Sequence, residues 1–297
     1  MDNLFQKKRQ SMNSPDTQEN DYVKSQPPLA ENSSFGRDVI TCLAFLSRLP
    51  IKSSDQPYSL AHASRAFGVS GLVLGALAGV VFQIANIAGF SSLIAVIVAL
   101  ALSALITGGL HEDGLADVAD GFGGGWTIDR KLEIMRDSQI GTYGVLALVF
   151  SVAFRIAAYA GIIDGLGNGA GVSGSGTSFM AAIGLFAAIG CLSRAPMAVM
   201  MYQMSLARSD GRAAQAGAPS HNNVRNGLFI SVIAGSLCLL MAVPIGALIA
   251  VLASIAIAYL IIGKLAKKHI GGYTGDVLGT LQQIAEIFAL LALLAFN

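Results

Sequence analysis

Charge is scarce in this chain. Asp, Glu, Lys and Arg make up 12% of its 297 residues, against roughly 25% in soluble domains, too few to clothe a water-soluble surface of this size. The formal net charge of +1 leaves no concentrated basic face of the kind nucleic acid requires. Cysteine is limited to Cys42, Cys191 and Cys238, all in apolar contexts and none in a C-x-x-C spacing. That excludes a disulfide framework or a zinc site and leaves the role of small buried hydrophobes. The opening stretch has no apolar core of the signal-peptide type. Residues 1–34, rich in Asn, Ser, Gln, Asp and Pro, read as a disordered polar tail, ahead of a single membrane-embedded domain over 35–297.

What is abundant is apolar. Hydrophobic residues reach 54% and the mean hydropathy is +0.62. Runs at about 67–89, 91–110, 141–163, 179–203, 227–243, 245–263 and 277–296 approach the ~20 residues that cross a bilayer. Val39 to Leu49 is too short to span. Flanked by Arg37 and Arg48 and stopped at Pro50, it reads as an interfacial helix. The expected fold is therefore all-α: a polytopic integral membrane bundle of about seven transmembrane helices and one N-terminal interfacial helix. The fifth and sixth runs are parted only by the turn at Pro244 and could form one kinked or re-entrant element. Basic residues favour the split. Arg130, Lys131 and Arg136 fall in one connection, Arg208, Arg212 and Arg225 in another, and Lys264, Lys267 and Lys268 in a third, joining those of the N-terminal region. The alternate connections, near 90, 164–178 and 244, carry none. Seven spans with the N-terminus cytoplasmic satisfy the positive-inside rule. The Gly/Ser stretch from Asp164 to Ser178 reads as an outer linker.

Where the second run meets water stand Glu112, Asp113, Asp117 and Asp120, within Gly108-Gly109-Leu110-His111-Glu112-Asp113-Gly114-Leu115-Ala116-Asp117-Val118-Ala119-Asp120-Gly121. Asp113, Asp117 and Asp120, at i, i+4 and i+7, share a helical face. Carboxylates so placed repel unless a cation sits among them, and hard cations such as Mg²⁺ prefer such oxygens, usually with phosphate. The plain alternative is a solvated acidic helix end. The glycines through Gly125 would let backbone N–H groups approach an anion. In Asp129-Arg130-Lys131-Leu132-Glu133-Ile134-Met135-Arg136-Asp137-Ser138, surface pairing explains most of the charge pattern, yet Arg130 and Arg136 also suit diphosphate oxygens. Asp276 follows a Gly-rich turn at the head of the last span, as a substrate-binding side chain or an N-cap. Arg155, Arg194 and Glu286 fall inside spans, where charge is costly and needs a polar interior. A structural pairing explains Arg155 and Glu286 as readily as function does. His111 points away from the three aspartates on a regular helix, and a structural histidine is at least as good a reading.

Four blocks taken together resemble the cobalamin synthases, or adenosylcobinamide-GDP ribazoletransferases. They are Thr107 to Gly121; Glu133-Ile134-Met135-Arg136-Asp137-Ser138-Gln139-Ile140-Gly141-Thr142-Tyr143-Gly144; Leu192-Ser193-Arg194; and Gly272-Tyr273-Thr274-Gly275-Asp276-Val277-Leu278-Gly279. Phe45-Leu46-Ser47-Arg48-Leu49-Pro50 is similar to that family's N-terminal opening. The resemblance implies a Mg²⁺-dependent transferase of the cell inner membrane with a cytoplasmic active site. It would join adenosylcobinamide-GDP to α-ribazole, or its 5′-phosphate, and release GMP. On that reading Asp113, Asp117 and Asp120 are the metal ligands, completed by Asp137. Arg130, Arg136 and Arg194, with Asp276, contact substrate, and Glu112, His111 and Asp137 are the candidates for general base. Homo-oligomerisation is left open.

Two other readings compete. Asp117-Val118-Ala119-Asp120-Gly121 matches the D-x-x-D-G opening of CDP-alcohol phosphotransferases of phospholipid synthesis, but the Ala-Arg expected next is replaced by Gly-Gly-Trp. A cation transporter would also bear intramembrane carboxylates. Here the acids crowd one face, with no inverted repeat in the sequence.

Overall fold

The computed structural model describes residues 34–51, 59–168 and 175–296. The polar tail expected before Ser34 lies outside the described residues. Among those residues every regular element is a helix, apart from one isolated parallel bridge between Leu206 and Tyr273. In chain order the helices are α1 (Phe35–Leu46), α2 (Leu60–Ala63), α3 (Phe67–Ile87), α4 (Ser92–Thr107), α5 (Leu110–Gly124) and α6 (Ile128–Ile134). They continue with α7 (Thr142–Asn168), α8 (Ser175–Gln203), α9 (Arg212–Ala216), α10 (His221–Leu240), α11 (Ile245–Ile270) and α12 (Gly275–Leu294).

Six helices are long and apolar enough to cross a membrane: α3 with its lead-in, α7, α8, α10, α11 and α12. The pair α4–α5 also qualifies, but it bends by 86°. α4 has 16 residues, about 24 Å at 1.5 Å per residue, and no charge. α5 bears the four acids, so α4 is read as the seventh span and α5 as a helix along the membrane face. The bend is made by Gly108 and Gly109, with φ of 66° and 67°. A side chain at either would cost ~1–2 kcal/mol in that left-handed region. Pro244 is the N-cap of α11 in extended backbone, and α10 ends at Leu240, so the turn splits two helices as the basic residues suggested. The linker expected from Asp164 to Ser178 is shorter than expected: α7 and α8 run into it from both sides, and 169–174 fall outside the described residues. Helical hydrogen bonding has prevailed there over the weak propensity of Gly and Ser.

α8 is the central helix. Of its apolar window 89% is buried by protein, against 28% for α10 at the rim. Its contact with α3 is close because Gly71 and Gly190 face one another, and a Cβ on either would overlap the other's carbonyl. Small residues serve this purpose where lipid provides no hydrophobic drive for helices to associate. Apolar side chains such as Ile84, Phe150, Leu237 and Ile249 are left exposed on the bundle's outside, as a hydrocarbon solvent permits. α1 packs across the polar end of the bundle. Asp38 on its buried face is paired with Arg65, and Arg48 just beyond it donates its N–H to the Ile106 carbonyl (2.7 Å), fixing the start of the α4–α5 bend.

Candidate active site

α5 and α12 cross where the acids lie. Gly114 rests on the backbone of Asp276, with room for no Cβ, and Thr280 Oγ1 donates to the Gly114 carbonyl (3.0 Å). The crossing brings Asp276 beside Asp113 and Asp117. Asp276 is not the N-cap of α12. That place belongs to Thr274, whose Oγ1 accepts from Val277 N–H (3.3 Å) and also bonds the Asp276 carboxylate (3.1 Å). Freed from capping, Asp276 points at Arg208, with Nη2 at 3.5 Å from Oδ2.

Arg208 is delivered by backbone pairing. Ala207 N–H donates to the Tyr273 carbonyl (2.9 Å) and Tyr273 N–H to the Ser205 carbonyl (3.0 Å), which ties the loop after α8 to the turn before α12. Arg136 holds the same loop from outside through two bonds to Asp210, at 2.6 and 2.8 Å. Nη1 of Arg208 is buried without a hydrogen-bond partner among the described residues.

The carboxylates are short of positive charge. Burial, then Asp113, Asp276 and Asp120, push the Asp117 carboxyl up from 3.8 to about 7, with Arg208 alone opposing. Asp120 is bonded differently. Its two oxygens accept from Gly141 N–H (2.7 Å) and Gly144 N–H (2.9 Å), so it caps the N-terminus of α7 and staples α5 to it. Asp137 is exposed and accepts from Gln139 N–H (3.0 Å), in a local turn. Among the described residues, no three His, Cys, Asp or Glu side chains form a ready-made metal cage.

Asp113, Asp276, Arg208 and Arg212 stand on a cavity of about 350 Å³, whose buried walls are Leu46, Phe67, Met197, Met201, Ala216 and Leu278. His111 lines it too, and also lines a second, polar cavity of about 30 Å³ deeper in the bundle. That inner space is closed by a hydrogen-bonded network. Arg155 pairs with Glu112 (3.1 Å), Gln283 Nε2 donates to Glu112 (3.2 Å), and Gln282 Nε2 donates to Glu286 (2.9 Å) and Ser193 (3.1 Å). Tyr159 completes it with a 3.3 Å bond to Glu286. Burial, then Arg194 and Arg155, hold the His111 imidazole well below its usual range, hence neutral.

The expected site residues thus separate. Asp113, Asp117 and Asp276 come together, with His111 at the cavity wall. Glu112 is drawn into the inner network, and Arg194 lies there too, donating to the Gly190 carbonyl (3.0 Å) away from the acids. Arg130 is on the exposed surface, paired with Glu133 (2.7 Å). Gly121 to Gly124 form no anion-binding loop. They complete α5, and Gly125 caps it with its N–H on the Gly121 carbonyl (3.1 Å). Sequence reasoning missed Arg208, counting it only as a topological charge. The clustering of Arg208, Asp210 and Arg212 within five residues was its one signal.

The sequence profile described as cobalamin-5-phosphate synthase matches residues 38–294, which takes in every helix of the bundle but the first few residues of α1. The chain belongs to the cobalamin-5-phosphate synthase family. Among named relatives, the adenosylcobinamide-GDP ribazoletransferase of Bradyrhizobium diazoefficiens is 41% identical over 88% of this chain and 94% of its own. That of Allorhizobium ampelinum is 36% identical over 88% and 97%, and that of Shewanella amazonensis 35% over the same shares, 88% and 97%. No solved structure matches the chain. Membership makes this member of the synthase family an enzyme of cobalamin synthesis, carried on a multi-pass membrane bundle.

Proposed function

We propose that the protein joins adenosylcobinamide-GDP to α-ribazole or its 5′-phosphate at the mouth of the large cavity, releasing GMP, with Mg²⁺ held by Asp113, Asp117 and Asp276. The observation that carries this reading is that Asp113, Asp276 and Arg208 line the mouth of an apolar chamber, with Asp117 close enough to Asp113 and Asp276 to feel their charge. Mg²⁺ is commonly bound by one or two carboxylates together with water and substrate phosphate, not by a closed protein cage. Hard oxygen donors and the upward shift of Asp117 fit a cation completed by substrate. Such an ion supplies neutralisation of the phosphoryl oxygens and of the departing phosphate.

The chain's own groups do the rest. Arg208 and Arg212 line the cavity, and their guanidinium groups suit diphosphate oxygens, for which a planar fork of donors is well matched. A ribose hydroxyl oxygen forms its bond to the cobinamide-side phosphorus as the bond from that phosphorus to GMP breaks. Of the three acid–base candidates only His111 lines the cavity. Neutral imidazole can accept the hydroxyl's hydrogen bond and its proton, whereas Glu112 is engaged by Arg155. Asp120 is reassigned from metal ligand to helix staple, and Arg194 from diphosphate binding to the inner network. The site end also gathers Arg48, Arg136, Arg208, Arg212 and Lys268, which supports a cytoplasmic orientation in the inner membrane.

The deciding assay supplies purified protein in detergent with adenosylcobinamide-GDP, α-ribazole and Mg²⁺, and follows GMP and the cobalamin product. Equal amounts of both, dependent on Mg²⁺, are expected. No product from folded protein would remove the proposal.

A further inference from the structure

The large cavity has two chemically different parts. Its exposed end is polar: Asp113 and Arg212 are exposed and Asp276 and Arg208 partly so. Its buried walls are apolar, from Phe67 on α3, Met197 and Met201 on α8, Ala216 on α9 and Leu278 on α12, and His111 is the one buried polar side chain among them. At about 350 Å³ it sits near the lower limit of the ~300–1,000 Å³ of small-molecule pockets. A bicyclic base with its sugar fits such a volume, and a corrin macrocycle does not.

We propose that this chamber seats the base of ribazole, a methylated bicyclic aromatic ring, while the corrinoid and the guanosine stay outside and the two substrates meet at the acidic mouth. The assignment rests on the ribazoletransferase reading above and adds to it which half of the reaction the protein encloses. Polarity decides between the two bases the reaction brings. Guanine has donors and acceptors along its edges, and each one buried without a partner costs binding; the buried wall offers it a single histidine. Dimethylbenzimidazole is apolar around its carbocyclic edge and leaves one ring nitrogen as an acceptor, so it needs mostly contact and at most one hydrogen bond. Methionine is suited to that contact, since its flexible thioether moulds to a flat ring and favours aromatic neighbours. α9 links the two parts: Arg212 at its start lies at the mouth and Ala216 at its end on the wall. A ribose held between them would be presented to the carboxylates.

The test is two-substrate kinetics on the full chain in detergent, varying each substrate with the other saturating. With unmodified protein, α-ribazole is compared with benzimidazole riboside, which lacks the two ring methyls. Burial of those methyls predicts a fall in kcat/KM of about tenfold. Ala216→Leu, which fills the chamber, should raise KM for α-ribazole about tenfold or more and leave KM for adenosylcobinamide-GDP unchanged. A methyl effect below twofold, or an Ala216→Leu effect on adenosylcobinamide-GDP alone, would overturn the assignment while leaving the reaction in place. The methyl comparison needs no variant to fold. If the unmodified protein makes no cobalamin product, the ribazoletransferase reading fails first and this assignment with it.

Discussion

Asp117 tests whether the acid cluster is built for a ligand at the expense of the empty protein. Its carboxyl is pushed up to about 7, by burial first and then by Asp113, Asp276 and Asp120. For an acid shifted upward, the folded protein binds more protons than the unfolded chain between 3.8 and about 7, so stability falls as pH rises through that interval. Asp117→Asn removes the charge and keeps the shape. The variant should gain nothing below the unfolded value and gain its full advantage above pH 7. Because the side chain is only half-buried, solvent screening reduces that advantage to something on the order of 1 kcal/mol, a rise of roughly 2–4 °C in Tm. Turnover should move the other way, down by a factor of ~10² or more, the scale for losing a group that stabilises developing charge. Thermal unfolding in detergent with EDTA at pH 5 and pH 8, beside GMP release with Mg²⁺, measures both. Added Mg²⁺ should raise the Tm of the unmodified protein more than that of the variant. A variant equally destabilised at both pH values, or one turning over near the unmodified rate, would refute the account of Asp117 as a ligand in a charge-starved cluster.

Asp120→Asn should behave differently. It weakens two bonds to the N-terminus of α7 and should lower stability by about 1 kcal/mol, the usual worth of such a cap, with turnover per folded molecule reduced far less than in Asp117→Asn. Arg208→Ala should raise KM for adenosylcobinamide-GDP and lower kcat, and Arg208→Lys should rescue only partly because a point charge replaces a fork of donors; unchanged kinetics would exclude Arg208 from the diphosphate. Arg155→Met strands the Glu112 carboxylate in the bundle and should cost ~3–5 kcal/mol, whereas adding Glu112→Gln should recover much of it; a double variant no more stable than the single one would deny the pairing. Single cysteines placed at Trp126 and Tyr273 in intact cells should resist a membrane-impermeant reagent, and ready labelling at either would reverse the proposed orientation.

The features legible in the sequence were those set by short-range pattern. Seven apolar runs, the helical face shared by Asp113 and Asp117, and the division at Pro244 each depend on spacing or composition within a few turns, and the bundle follows them closely. The Gly121–Gly124 run misled because glycine is compatible with both a loop and a helix end. The choice was made by α5 continuing to Gly124, a matter of packing against α7 and α6. Asp120 shows a related limit of local pattern. Its spacing places it on the face of Asp113 and Asp117, but the chain that returns at Gly141 and Gly144 supplies two N–H donors no helical wheel can anticipate.

What could not be read was long-range partnership, and there the polar groups of the spans are instructive. Arg155, Arg194, Glu112 and Glu286 come from four helices and lie side by side around one small cavity. Two positive and two negative charges sum to zero, which makes their burial tolerable in a way none would be alone. The sequence offered Glu286 as a partner for an arginine, but not the glutamines at 282 and 283 that hold it and Glu112 in place. His111 borders both this network and the large cavity; burial first, and then the charges of Arg194 and Arg155, hold its imidazole well below its usual range. If His111 takes the proposed role, substitutions at Arg155 or Arg194 should alter the chemistry at the membrane face without touching the substrates.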